Sequence, residues 1–170
     1  MKIAVLSDIH DHIDNLDAAL EKVKNLGCQS LIFCGDLVSP FVIPHLLASG
    51  LHVYLVFGNN EGDLSAIYAQ IKPDQVEIWG KSEEFGEISL DNQKIAFCHY
   101  PKIARLLAGT GQHQAVFHGH NHQASEEHLG RTLLANPGSI SGIISGKPGP
   151  ASFATYDTTD GKYELIYLFK

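Results

Sequence analysis

Residues 115–122, Ala-Val-Phe-His-Gly-His-Asn-His, set three histidines within five positions directly after an apolar run. Imidazoles so placed are either solvated turn residues or ligands of a metal ion. The rest of the chain decides between these readings. The run Lys2 to Ser7 delivers Asp8 and His10, two residues apart, so that on an extended backbone both side chains point the same way. Leu31 to Cys34 delivers Asp36 just after Gly35, Tyr54 to Phe57 delivers Asn59 just after Gly58, and Lys94 to Cys98 delivers His99. The opening stretch itself delivers His120 and His122 behind Gly119, and a glycine ahead of a donor lets the backbone turn tightly.

Any one of these has an ordinary explanation. Asn59 after Gly58 is common turn chemistry, and a lone His99 beside Cys98 suits a hydrogen-bonded histidine at the margin of a core. Five segments, however, end in Asp, His or Asn at the carboxyl edge of a buried strand. In an open parallel sheet that edge is where ligands bind, so the joint pattern favours a metal site. Two Asp, four His and one Asn exceed the three or four protein ligands of a single zinc site, which points to two ions. Imidazole and oxygen donors without thiolate suit Mn²⁺, Fe, Co²⁺, Ni²⁺ or Zn²⁺ rather than Ca²⁺ or a sulfur cluster; Mn²⁺ is the first expectation. Two such ions about 3.5–4 Å apart need a bridging carboxylate, and they serve phosphoester hydrolysis.

The elements that must position these donors alternate. Lys2 to Ser7 is too short and aliphatic for anything but a buried strand. Residues 14–27 form a helix with Asp14 or Asn15 as cap, Leu16, Leu20 and Val23 on one face, and Gly27 as its stop. A second strand over 30–36, a helix from Pro40 to Gly50, a third strand over 52–60 and a helix over 63–72 complete a β-α-β-α-β series. That order implies parallel strands with right-handed crossovers. The second half changes character. Residues 84–99 read as two strands joined at Asp91-Asn92, 102–109 as a short helix, and 115–119 as another buried strand. Three further strands follow, the last two joined at Asp160-Gly161 by an expected type I′ turn, and residues 139–151, rich in Gly, Ser and Pro, read as a loop.

The 170 residues suit one domain, expected over 1–170, with 44% hydrophobic and 18% charged residues in an ordinary globular balance. A formal charge of −7 and the lack of a basic stripe argue against nucleic acid or an anionic membrane as partner. The three cysteines form no CxxC pair; Cys34 and Cys98 lie inside apolar runs and read as buried small side chains in a reduced, cytoplasmic setting. The start lacks a signal peptide's apolar stretch, and no segment approaches roughly 18 uninterrupted apolar residues, so no membrane span is expected.

Taken in order, Asp8-Ile9-His10, Gly35-Asp36, Gly58-Asn59, the lone His99 and Gly119-His120-Asn121-His122 resemble the motif series of the calcineurin-like metallophosphoesterases. Length, Asn136 to Ser139 (Asn-Pro-Gly-Ser) and Gly149 to Ala154 look like the small prokaryotic phosphodiesterase branch, and the likeness covers nearly the whole chain. It implies an α/β fold, a sandwich of two β-sheets flanked by helices with a dimetal site at the strand ends. It would assign Asp8, His10 and His122 to one metal, Asn59, His99 and His120 to the other, and Asp36 to both. Water activated between the metals would attack the phosphorus of a small phosphodiester. His12 and His118 match no ligand position in that pattern.

Two departures bear on chemistry. Many members of that family read Gly-Asn-His before the acidic residue, and that histidine helps the leaving group depart; here Asn60 follows Asn59 and precedes Glu61. An amide donates a hydrogen bond but not readily a proton, so Asn60 is expected to contact substrate or transition state rather than act as an acid. Tyr100-Pro101 stands where relatives often have Gly-His, which implies a different substrate-facing wall. The alternatives are a non-catalytic scaffold on the same fold, a phosphomonoesterase or a phosphoprotein phosphatase. A homo-oligomer is compatible with the sequence.

Overall fold

A computed structural model describes residues 1–80 and 83–169. Strands β1 (Lys2–Leu6), β2 (Ser30–Phe33), β3 (His52–Val56) and β4 (Val76–Trp79) lie parallel and adjacent. Helices α1 (Ile13–Asn25), α2 (Val42–Ala48) and α3 (Leu64–Gln70) connect them. The second sheet is built from β5 (Phe85–Leu90), β6 (Gln93–Cys98), β7 (Ala115–Phe117), β8 (Ser125–Leu129) and β9 (Thr132–Asn136), in the order β5-β6-β7-β9-β8. In that sheet β6, β7 and β9 are parallel. Helix α4 (Pro101–Gly109) follows β6. A two-stranded ladder, β10 (Ile143–Ile144) with β11 (Lys147–Pro148), precedes β12 (Ser152–Asp157) and β13 (Lys162–Tyr167). The last two strands extend the first sheet antiparallel to β1, giving β13-β12-β1-β2-β3-β4.

Side-chain alternation turns these strands into layers. Along β1, Ile3 and Val5 face the second sheet and meet Phe97 and Phe117, whereas Ala4 and Leu6 face α1 and α2 and meet Leu16, Val23 and Leu46. Along β6, Ile95 and Phe97 join the core between the sheets while Ala96 and Cys98 pack under Ala104 and Ala108 of α4. Every strand with helices on one face and a sheet on the other is therefore apolar on both, which is why these runs read as continuous rather than alternating. The result is the expected two-sheet sandwich flanked by helices. Cys28, Cys34 and Cys98 are free and buried. Burial pushes the Cys98 thiol up to about 12 and the Cys34 thiol well above its usual value, so both behave as small apolar side chains. Among the described residues no helix is long and apolar enough to cross a membrane.

Several local expectations need correction. Helix α1 starts at Ile13, with His12 at the cap position and no side-chain cap bond. Asn15 does not cap it; its amide donates instead to the Ile140 carbonyl at 2.8 Å, tying the helix to a distant loop. The Asp91-Asn92 turn has positive φ at both residues (48° and 63°), as a type I′ hairpin requires. The Asp160-Gly161 turn does not: only Gly161 has positive φ, and β12 and β13 pair at Asp157 and Lys162, which leaves residues 158–161 as a longer loop. Helix α2 begins at Val42, two residues beyond Pro40. The β10–β11 ladder lies within residues 139–151, which the sequence presents as a loop; strands β4 and β8 have no counterpart in the sequence reading. Both are sheet edges, and β8 (Ser-Glu-Glu-His-Leu) carries almost no buried side chain that periodicity could reveal.

Candidate metal centre

The carboxyl edges of the two sheets meet, and all the candidate donors leave from that meeting line. Asp8 and His10 follow β1, Asp36 follows β2 and Asn59 follows β3; His99 follows β6, and His120 and His122 follow β7. The residue pairs two apart do not converge through an extended backbone. Asp8, His10, Asp36, His120 and His122 all have positive φ, between 46° and 77°. Each of these five donors is turned inward by a left-handed kink that non-glycine residues adopt at a cost of about 1–3 kcal/mol. Such kinks persist only where the surroundings hold them, and here the surroundings do. The Asp8 N–H donates to Gly35 O (3.0 Å) and the His10 N–H to Asp36 O (3.1 Å), lacing the two loops together. The Asp8 carbonyl accepts from the Ser141 N–H and from the Ser139 hydroxyl (2.9 Å).

Glu61 is the main brace. Its Oε1 accepts from the N–H groups of Asp36 (2.9 Å) and Gly58 (2.8 Å), and its Oε2 from those of Leu37 and Val38 (both 3.0 Å). One carboxylate thus fixes the two loops that carry Asp36 and Asn59. Burial raises its pKa, a tendency the backbone hydrogen bonds oppose. Gly35, ahead of Asp36, has φ 92° and is needed for the turn; Gly58 and Gly119, ahead of Asn59 and His120, are needed for space. A Cβ at Gly58 would lie 2.1 Å from Asp36 Oδ1, and one at Gly119 would lie 1.9 Å from Ser7 Oγ and 2.6 Å from Asp8 Oδ2.

Two groups of donors share the site. On one side His10 Nε2 stands 3.1 Å from His122 Nε2, and Asp8 Oδ1 is 3.4 Å from His122 Nε2 and 3.9 Å from His10 Nε2. On the other, Asn59 Oδ1 lies 2.9 Å from His99 Nε2 and 2.8 Å from His120 Nδ1. Asp36 sits between them: Oδ2 is 3.5 Å from His10 Nε2, and Oδ1 is 3.5 Å from His99 Nε2. Asp8, Asp36 and His99 form a buried floor, His10 and His122 are half-buried, and Asn59 and His120 are exposed at the mouth. Asp8, His10 and His122 form one compact triad of possible ligand atoms; Asp8, Asp36 and His99 form another.

The charge balance suits cations. Burial pushes the Asp8 carboxyl up to about 8, and the nearby Asp36 charge adds to that rise. Burial also lowers the pKa of His10 and His99, which favours neutral rings with a free lone pair. Among the described residues Asp8 and Asp36 have ion-pair partners only in His10, His99 and His122, with no lysine or arginine. Two buried carboxylates without a cation are costly, and bound ions would remove that cost. The outward nitrogens are arranged accordingly. His99 Nδ1 donates to Cys34 O at 2.8 Å and His122 Nδ1 faces Ile143 O, so in each ring Nε2 is the atom left to point inward.

The structure brings together all seven donors expected from the sequence. Asn60 is at the rim, its N–H donating to Asp36 Oδ1 (2.8 Å) and its side-chain amide 3.2 Å from His10 Nδ1. With the amide oxygen turned toward that nitrogen, Asn60 would hold the His10 ring in the same sense that Cys34 O holds His99. His118 is buried beside the site, its Nδ1 near Gly119 O (3.1 Å) rather than in the donor cluster, and His12 is exposed at the start of α1. Sequence reading missed the props: Glu61, Asn15, Asn136 and Ser139. Asn136 donates to Gly119 O (3.0 Å) and Asn121 Oδ1 (2.8 Å), bracing the loop of His120. Family resemblance marked Glu61 and the stretch Asn136 to Ser139, and Asn15 stood out only as a helix cap; nothing local gave any of them a bracing role.

Glu61 yields an expected outcome for stability. In Glu61→Gln either orientation of the amide turns an NH₂ group toward backbone N–H donors, and losing such bonds costs about 1–3 kcal/mol. Urea unfolding of the metal-free variant should show a matching loss; an unchanged midpoint would mean that Glu61 does not hold the loops.

Comparison with known proteins comes to the same family as the motif series. The family model for the calcineurin-like phosphoesterase superfamily domain matches residues 1–161. Phosphodiesterase MJ0936 of Methanocaldococcus jannaschii is 29% identical over 170 residues, covering 99% of each chain. A solved structure described as a novel archaeal phosphodiesterase superposes with a TM-score of 0.87 at 27% identity, covering 98% of this chain and 99% of that one. YfcE, a phosphoesterase from E. coli, shares the fold at a TM-score of 0.68 and 21% identity, over 99% of this chain and 100% of its own.

Proposed function

Because the chain belongs to the calcineurin-like phosphoesterase superfamily, we propose that it is a phosphodiesterase, acting as a single domain on a small phosphodiester with two divalent transition-metal ions, Mn²⁺ first among them. The observation that carries this reading is Asp36. Its two oxygens face two separate donor groups at the same 3.5 Å distance, His10 on one side and His99 on the other. A carboxylate so placed serves two cations at once. Ions held there would lower the pKa of a water and draw charge from phosphoryl oxygens.

The residues of the chain divide the remaining work. Asp8, His10 and His122 hold one ion, and Asn59, His99 and His120 hold the other. The buried floor of Asp8, Asp36 and His99 keeps bulk water from one side, while exposed Asn59 and His120 leave the mouth open to substrate. Glu61 and Ser139 keep the loops in their left-handed turns, so the donors need not reorganise during the reaction. Asn60, at the rim, reaches a phosphoryl or ester oxygen as a hydrogen-bond donor and cannot supply a proton.

Metal-free protein reloaded with Mn²⁺, Ni²⁺, Co²⁺, Zn²⁺ or Mg²⁺ is to be assayed against bis(p-nitrophenyl) phosphate and p-nitrophenyl phosphate. Turnover of the diester well above that of the monoester is expected with at least one transition metal. Preference for the monoester would favour a phosphatase, and full metal loading with no turnover would favour a scaffold.

A further inference from the structure

A pocket of about 360 Å³, lined by Tyr100, Pro101, Lys102, Ile103 and His120, opens on the flank of the donor cluster where α4 begins. It shares His120 with the cluster, so whatever fills it lies beside the reacting phosphorus. The Tyr100 ring meets His99 and His120 edge-on, with centroids 5.1 Å from each. It is 37% exposed, a large share for an aromatic ring held between two fixed neighbours. Ile103 and Pro101 add half-buried aliphatic surface to the lining, and Lys102 is exposed. Pro101 occupies the first turn of the helix, which stiffens the wall that carries Tyr100.

We propose that this pocket is the subsite for the ester group that stays on phosphorus, and that it selects a flat aromatic group. The proposal rests on the phosphodiesterase reading above. In an in-line displacement the departing alcohol leaves on the side opposite the attacking water. A pocket on the flank therefore receives the retained substituent. Aromatic rings gain from offset or edge-to-face contact with a tyrosine beyond simple area burial. The lining suits an aryl or nucleobase ring better than a flexible chain, and it leaves a methyl ester without contacts.

The test keeps one leaving group, p-nitrophenolate, and varies the retained ester: methyl, cyclohexyl, phenyl and thymidine-5′. Phenyl and thymidine diesters should exceed methyl and cyclohexyl ones in kcat/KM by about tenfold, the scale of a single ring contact. Tyr100→Ala should close that gap, read as the ratio of phenyl to methyl ester kcat/KM per bound metal so that any loss common to all esters cancels, and Tyr100→Phe should keep it. A gap absent from the native protein, or one that survives Tyr100→Ala, would overturn the subsite. A phenyl-only preference would assign the pocket to aryl esters, and a shared one to aromatic rings in general. If no diester turns over, the phosphodiesterase reading fails. Calorimetric binding of phenyl methylphosphonate to native and Tyr100→Ala protein then still reads the pocket: weaker binding by the variant upholds it, and equal binding overturns it.

Discussion

Asp36→Asn should release both metal ions and lower diester hydrolysis by at least about a thousandfold, beyond the effect of removing one ordinary electrostatic contact. The neutral amide keeps the shape of the side chain, and its Oδ1 can still accept from the Asn60 N–H that Asp36 now binds at 2.8 Å. What it loses is the charge shared between the His10 and His99 sides, and an amide has a single acceptor oxygen where both carboxylate oxygens are needed. The loss should therefore be of occupancy rather than fold. Elemental analysis after gel filtration, together with an unchanged circular dichroism spectrum, checks this. Two ions retained in the variant would show that Asp36 does not join them.

The second large effect concerns the leaving group. Asn60 cannot protonate a departing alkoxide, and general acid catalysis is worth roughly 100- to 10,000-fold. Hydrolysis by the native protein should thus depend steeply on leaving-group acidity, with aryl diesters cleaved far better than alkyl ones. Asn60→His should help the poor leaving groups selectively and flatten the dependence. The amide's 3.2 Å approach to His10 Nδ1 adds a control: Asn60→Ala should lower all substrates by a common factor, since it removes support for His10. A flat dependence in the native protein, with no selective gain from the histidine, would mean that another residue already delivers the proton.

How much was legible beforehand divides along physical lines. Donors were legible because each follows a short apolar run, and such runs are continuous here for a structural reason: β1, β2 and β6 are buried on both faces. The two-sheet arrangement was legible only through family resemblance, since nothing in the runs says that β6 and β7 belong to a different sheet from β1 to β3. The mechanism of convergence was misread. Spacing of two suggested an extended backbone, whereas Asp8 and His10 sit in left-handed turns held by non-local partners: Asp8 by Ser139 and Ser141, more than a hundred residues away, and His10 by Asp36 O. Asn15 was misread for a related reason. Its type and position fit a helix cap, but tertiary partners at Ile140 and Ser141 claim the amide. Local pattern identifies the groups that do chemistry more readily than the distant bonds that aim them.

The central claim is a two-ion site that hydrolyses phosphodiesters, and titration of metal-free protein with Mn²⁺ tests it most directly. Bound metal per chain and the rate on bis(p-nitrophenyl) phosphate are measured on the same samples. A site divided by Asp36 predicts a rate that rises little with the first ion and levels off at two bound ions per chain. A rate that is complete at one ion, or that stays at the uncatalysed level with two ions bound, would contradict it.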